Sequence, residues 1–426
     1  MANPLATLGD SATFIPAAPA RRRLPAWATA VIAIVAVFGV LTITSILDDQ
    51  PLLTSSGIMS NTITFALPIM LVGLGGIWSE RSGSINIGLE GMMILGTWGA
   101  AWGGYNWGPV GALVTGAVFG ALGGLVHALA TVTFGVNHIV SGVAINLLGA
   151  GIARYLSTLI FEPITKNARD SPQIPRFDSF QLLPQGMSDS LQQLERDQSP
   201  VLSNLAGVVR GFLGEISPLL IISVLLLVGS YFVLWRSPFG LRLRSCGENP
   251  VAAESLGINV YRYKYIAITI SGAFAGLGGA VLVLGAKVAA YTEGQTGGRG
   301  FIGLAAMIFG NWRPGGMLAG AGLFGYADGL QLGGTSEAVH ALLYGAAIAA
   351  GLAAVWQLYR RKVRTAVLLA MVAIAVYALY YVTDELPEEL VSYTPHIVTL
   401  IVLAFAAQRL RPPAANGVPY RRGEGD

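Results

Sequence analysis

Charge is what this sequence lacks most. Of 426 residues, 26 are Lys or Arg and 23 are Asp or Glu, 12% together, against about 25% in an ordinary soluble domain. A water-soluble chain of this length is excluded on that ground. Cysteine is nearly missing as well. Cys246 stands alone, so the chain has no internal disulfide framework and no multi-cysteine metal site. Its neighbours Arg244 and Glu248 assign it to a cytosolic loop. No G-x-x-x-x-G-K-[ST] string cradles nucleotide phosphates. Any driving energy therefore comes from another subunit or from an ion gradient. Clustered Asp or His that would hold a metal or a diphosphate is missing too, which argues against a membrane transferase. The basic residues that do occur sit at the ends of apolar runs, which removes a nucleic-acid reading.

Long apolar runs fill the rest. Candidate spans start near Trp27, Gly57, Ile85, Gly108, His138, Leu219, Tyr263, Phe301, Gly315, Ala338, Thr365 and Val391. A hydrocarbon core of about 30 Å needs roughly 20 helical residues. Most runs are that long, and Phe301–Trp312 is short. The expected fold class is an all-α polytopic membrane protein with about 10–12 transmembrane helices. Trp27–Leu47 is long for a signal-peptide core and no small-residue cleavage site follows it, so it reads as a retained helix.

Short loops rich in Lys and Arg stay in the cytoplasm. Arg21–Arg23, Arg81, the group Arg236, Arg242, Arg244, Arg262 and Lys264, then Arg313, Arg360–Arg364, Arg409, Arg411, Arg421 and Arg422 all fall on one side if the chain starts inside and crosses twelve times. The opposite short loops offer Lys287 and Arg299. The expected organisation is a cytosolic tail at 1–26, a transmembrane region at 27–410 and a second cytosolic tail at 411–426, with both termini cytoplasmic. Residues 162–217 form a long extracytoplasmic loop opened by Pro163, Pro172, Pro175 and Pro184. Ser188–Asp197 and Val201–Leu213 read as weakly amphipathic helices within it. That loop is either a solvated cover or a docking surface for an external partner.

Two stretches depart from plain helix. Ser79 to Gly91 reads S-E-R-S-G-S-I-N-I-G-L-E-G and joins two apolar runs. Glu, Arg and Asn are costly in a membrane, and non-helical backbone there is buried in protein or lines a cavity. Asn86 and Glu90 are four apart, which places both on one face of an expected helix. A second Gly-interrupted stretch, Gly294–Gly303, lies in the other half of the chain. Corresponding broken segments point to a central site in transporters built from repeats. Candidate residues for the substrate path are Asn61, Thr64, Asn86, Glu90 and Asn146. His127 and Asn137 are expected to serve helix packing, and Arg154 to reach outward from its span. Trp98, Trp102 and Tyr105 are either stacking partners or markers of the membrane interface. The second departure is the cytosolic loop 237–262. Pro250 can open a short helix and Gly257 can end it.

At these residues the chain resembles the permease subunits of bacterial ABC importers for nucleosides, within the group that includes ribose and simple-sugar permeases. E-R-S-G-S-I-N-I-G-L-E-G and G-E-N-P-V-A-A-E-S-L-G-I carry the likeness. So do Gly298–Gly316 (G-R-G-F-I-G-L-A-A-M-I-F-G-N-W-R-P-G-G), Tyr393–Ala404 and the G-V-P-Y of Gly417–Tyr420. The resemblance implies a nucleoside permease of the bacterial cell membrane, paired with a homologous second permease. It also implies a cytosolic ATPase that binds ATP and Mg, and an extracytoplasmic substrate-binding lipoprotein. No cofactor and no catalytic or metal residue is expected on this chain. By the same resemblance, Glu248, Asn249, Pro250, Ala252, Ala253 and Gly257 form a coupling helix that docks to the ATPase. The enlarged loop at 162–217 and a helical pair at about 338–384 depart from the family's pattern. A simple-sugar permease and an ion-coupled secondary transporter are the alternatives.

Overall fold

Uninterrupted apolar runs bury their backbone polar groups best as helices, and helices are what they form. The computed structural model describes residues 26–48, 51–197, 199, 201–333, 336–383, 410–421 and 423. In chain order these give α1 (Ala26–Leu47), α2 (Ser56–Arg81), α3 (Leu89–Ala128), α4 (His138–Ile160), α5 (Glu162–Thr165), α6 (Gln185–Arg196), α7 (Leu202–Leu213) and α8 (Pro218–Tyr231). Then follow α9 (Pro238–Glu248), α10 (Pro250–Ser255), α11 (Val260–Gly285), α12 (Arg299–Phe309), α13 (Pro314–Gly333), α14 (Ser336–Tyr359) and α15 (Val363–Val382). Two-residue strands at Phe180–Gln181 and Glu215–Ile216 pair antiparallel beside α6 and α7. Among the described residues, seven helices are long and apolar enough to cross a membrane. The chain is an all-α polytopic membrane protein.

One of the seven is a hairpin. Gly108 takes φ 73°, a conformation that suits glycine, and Pro109 restarts the helix. The arms of α3 fold back on each other, and Thr115 Oγ donates to the Gly99 carbonyl at 2.8 Å. α11 lies against α2 and both arms of α3. Its Gly272 and Gly276 pack directly on the backbone of Gly116, Gly120 and Gly124, the close approach that small residues permit. Leu74 and Ile77 of α2, Phe274 of α11, Met307 of α12 and Phe324 of α13 share the largest buried cluster.

The two ends of the bundle differ. At one end Arg81, Arg244 and Trp235 meet, and Arg81 also donates to the Trp312 carbonyl at 2.9 Å. This is the basic end. At the other end, the loop end, Ser171 and Ile174 bond back to Tyr291 and Ala289. There α7 seats Gly207 and Gly211 on Thr54, Ser56 and Met59, and Glu195 pairs with Arg210 at 3.0 Å. α14 and α15 pack on each other and touch α1 and α13. The expected span from Val391, the Tyr393–Ala404 motif and residues 1–25 lie outside the described residues.

The third expected span differs from expectation. It begins at Leu89 rather than Ile85, and Ser82–Gly88 is not helical. Gly83 at φ 86° and the cap at Ser82 end α2 there. Asn86 therefore does not share a helical face with Glu90.

Candidate functional site

Two broken segments meet inside the bundle. α12 has eleven residues, about 16 Å of helix, so it reaches only about halfway across a hydrocarbon core of about 30 Å. Its C-terminal end lies at the basic end, where Trp312 Nε1 donates to Glu80 at 2.6 Å. Its N-terminus, Gly298 and Gly300, therefore lies near mid-depth. Glu90, at the first turn of α3, meets it there. The Glu90 carboxylate accepts from Gly300 N–H at 2.6 Å and from Gly298 N–H at 3.1 Å. Glu90 is 7% exposed. An anion at a helix N-terminus satisfies amide groups that have no partner within the helix. Beside it Arg299 forms a buried ion pair with Asp328 of α13 at 2.8 Å and stacks over Phe65 of α2.

The candidate path residues divide. Asn86 is fully buried. Its amide donates to Ser271 Oγ at 2.9 Å and its oxygen accepts from Gly88 N–H at 3.1 Å. Asn146 donates to the Ile87 carbonyl at 3.0 Å and accepts from Gly91 N–H at 2.8 Å. The two asparagines bind the non-helical backbone of Ser82–Gly88 to α11 and α4. Thr64 lines a cleft of about 200 Å³ at the loop end, with Ser60, Phe177, Arg176 and Glu215 among its walls. Asn61 lies three residues earlier on α2 and is half-buried. The structure brings Asn86, Glu90 and Asn146 together and leaves Asn61 and Thr64 apart from them. His127 bonds Ser141 at 2.8 Å and the Ile85 carbonyl at 3.0 Å. Asn137 caps α4. Arg154 pairs with Glu293. Trp98 is buried and bonds Ser157, Trp102 is half-buried, and Tyr105 is exposed.

At the basic end α10 forms as its caps require. Asn249 Oδ1 accepts from Ala252 N–H at 2.9 Å, Pro250 takes the first position, and Gly257 leaves at φ 80°. The helix has two faces. Ala253 is 2% exposed and packs on Cys246, Val260, Ile258 and Tyr420 of the same chain. Its small size thus serves internal packing. Val251, Ala252, Ser255 and Leu256 point outward, and Leu256 is 82% exposed. Burial pushes the Cys246 thiol up to about 11.

Sequence reasoning missed the strap at 410–421. Ala415 N–H donates to the Gly247 carbonyl at 2.9 Å and Gly417 N–H to the Gly83 carbonyl at 3.1 Å. Asn416 donates to Glu80 at 2.8 Å, Ala414 N–H to Glu248 at 3.2 Å, and the Tyr420 hydroxyl to Glu254. The strap ties the end of α2 to α9 and α10. The G-V-P-Y string was its only sequence signal. Glu80 is the other omission, an acid whose partners lie far along the chain.

Membrane-crossing helices around two interrupted segments define a multi-pass transport protein. The chain belongs to the family described as branched-chain amino acid transport system / permease component, which matches residues 58–348. It is similar to the guanosine ABC transporter permease protein NupQ of Bacillus subtilis, 31% identical over 374 residues, 86% of this chain and 97% of that one. The nucleoside ABC transporter permease protein NupC of Lactococcus lactis is 29% identical over 373 residues, 85% of this chain and 96% of its own. The putative glucose ABC transporter permease protein TsgC13 of Haloferax volcanii is 33% identical over 284 residues, 65% of this chain and 78% of its own. No solved structure matches the chain.

Proposed function

We propose that this chain is the membrane-spanning subunit of an ABC importer that carries nucleosides across a bacterial cell membrane. The observation that carries the reading is likeness along nearly the whole length of two permeases named for guanosine and for nucleosides. In this reading the basic end is cytoplasmic, as are both termini, because short basic loops are retained inside. The outward face of α10, with Val251, Ala252 and Leu256, meets a cytosolic ATPase. ATP and Mg bind there and not on this chain. A homologous second permease completes the membrane unit, and an extracytoplasmic lipoprotein delivers substrate at the loop end. Interior acids support this over an ion-coupled carrier: Glu90 is held by two amides and Asp328 by Arg299. A simple sugar is the second reading, favoured by the likeness to a putative glucose permease over a shorter stretch.

Uptake of labelled guanosine, uridine and ribose in a deletion strain, with and without the restored gene, tests the proposal. Restored uptake of the nucleosides, competed by unlabelled nucleosides and not by ribose, is expected. Restored uptake of ribose alone would replace it with the sugar reading.

A further inference from the structure

One face of the molecule is polar at a depth where lipid would not tolerate it. The segment from Glu293 to Gly298 is a run of turns, with Gln295 N–H bonded to the Thr292 carbonyl at 3.1 Å and Gly297 N–H to the Gly294 carbonyl at 3.1 Å. It descends from the loop end to the N-terminus of α12 at mid-depth. Thr292, Glu293, Gly294 and Gly297 are exposed along it. Arg154 of α4 stands beside it, joined to Glu293 and 44% exposed. Arg154 is six residues from the end of α4, about 9 Å from the loop end of that helix, and Glu293 N–H bonds the Arg169 carbonyl of the loop at 2.8 Å, so the ion pair marks the outer mouth of this face. Ala150, Gly151, Arg154 and Thr158 share one side of α4 by their three- and four-residue spacing, and all four are exposed.

Exposed turn backbone descending into a bilayer requires water or protein in front of it. The exposed turn backbone needs hydrogen-bond partners, which water supplies and an apolar contact does not. We propose that the Thr292–Gly297 turns, with Ala150, Gly151, Arg154 and Thr158 of α4, form one wall of the water-filled substrate path. This rests on the reading of the chain as an importer subunit. The wall offers hydroxyl, amide and carbonyl partners, and its Glu293 is shared by Arg154 and by Arg169 of the loop, the latter at 3.8 Å. Phe301, 47% exposed at the first turn of α12, adds an aromatic ring. Those partners suit an uncharged solute with several hydroxyls and a planar ring, the chemistry of a nucleoside. Glu90 holds the N-terminus of α12 where the turns end, and Asn86 and Asn146 brace the Ser82–Gly88 backbone rather than the wall.

The test uses the full importer with its partner subunits and a Cys246→Ser background. Single cysteines replace Gly151, Thr158 and Thr292, with Ile374→Cys on α15 as a lipid-facing comparison. A membrane-impermeant methanethiosulfonate is added from the loop end. Positions 151, 158 and 292 should react, lose at least tenfold in uptake on reaction, and react several-fold more slowly with guanosine present. Ile374→Cys should react only with a lipid-soluble maleimide. If 151 and 158 react only with the lipid-soluble reagent, the face meets lipid and the wall is lost. If they react with neither, the face is a packed contact between chains and the proposal is equally overturned. Labelling reports water access whatever the solute. Labelled positions in a protein that imports ribose but no nucleoside would keep the wall and remove the nucleoside.

Discussion

A buried carboxylate is tolerated when bonded donors replace the water it loses, and Glu90 meets that condition with the amides of Gly298 and Gly300. Removing it leaves those amides unpaired inside the bundle, at a cost of about 1–3 kcal/mol. Glu90→Ala should therefore lower the unfolding temperature in detergent, and Glu90→Gln, which keeps one acceptor, should lower it less. Equal melting for the parent and Glu90→Ala would refute the cap. Cys246 gives a pH-dependent case outside the spans. Its thiol titrates near 11 in the fold against an ordinary value of 9.0, because burial penalises the thiolate. The neutral thiol is thus the form the fold favours. Its contribution to stability is whole below pH 9 and is lost as pH rises toward 11. At pH 8 Cys246 should resist maleimide in the native protein and react at once after denaturation. Comparable rates in both states would contradict the burial. The residue types at both sites were legible, but their partners were not, since Glu90 bonds a residue 210 positions away.

At the scale of elements, glycine decides how closely helices approach. A Cβ at Gly276 would collide with the Gly116 carbonyl and the backbone of Gly120, neither of which can rotate away. Gly276→Ala should force α11 from the second arm of α3, an overpacking cost of about 1–3 kcal/mol. Gly229→Ala on α8, with open space around it, should cost little. Thermal unfolding of the two variants checks this, and similar losses in both would remove the close contact from the argument. That helix α11 matches the folded-back α3 hairpin could be seen only in three dimensions. The short run at Phe301–Trp312 was legible as too short to cross. That its N-terminus stops on Glu90 was not.

In the whole molecule α2 and α11 run between the basic end and the loop end, and the strap at 410–421 ties α9 and α10 to α2. One face of α10 packs on its own chain and the other is exposed, and the proposed ATPase contact falls on the exposed one. Ala253→Arg should unseat the helix from Cys246, Val260 and Tyr420 and lower thermal stability. Leu256→Arg alters an 82% exposed side chain and should leave stability unchanged while reducing ATP-dependent uptake severalfold or more. Measuring melting and uptake for both variants distinguishes the faces. Full uptake with Leu256→Arg would take this helix out of the coupling path.

What the sequence determined by itself was local. Long apolar runs with few charges specify membrane helices, because hydrocarbon leaves no other way to satisfy the backbone. The breaks at Gly83–Gly91 and Gly294–Gly303, and the Pro250 and Gly257 boundaries of α10, were legible because caps and turns are written within a few residues. Tertiary structure alone decided that the two breaks meet at Glu90 and that Asn86 and Asn146 brace backbone. It also decided that Ala253 faces inward and that an exposed polar wall runs beside α4. Those outcomes depend on which distant surfaces pack together, and a bond between distant residues leaves no periodicity along the chain to read.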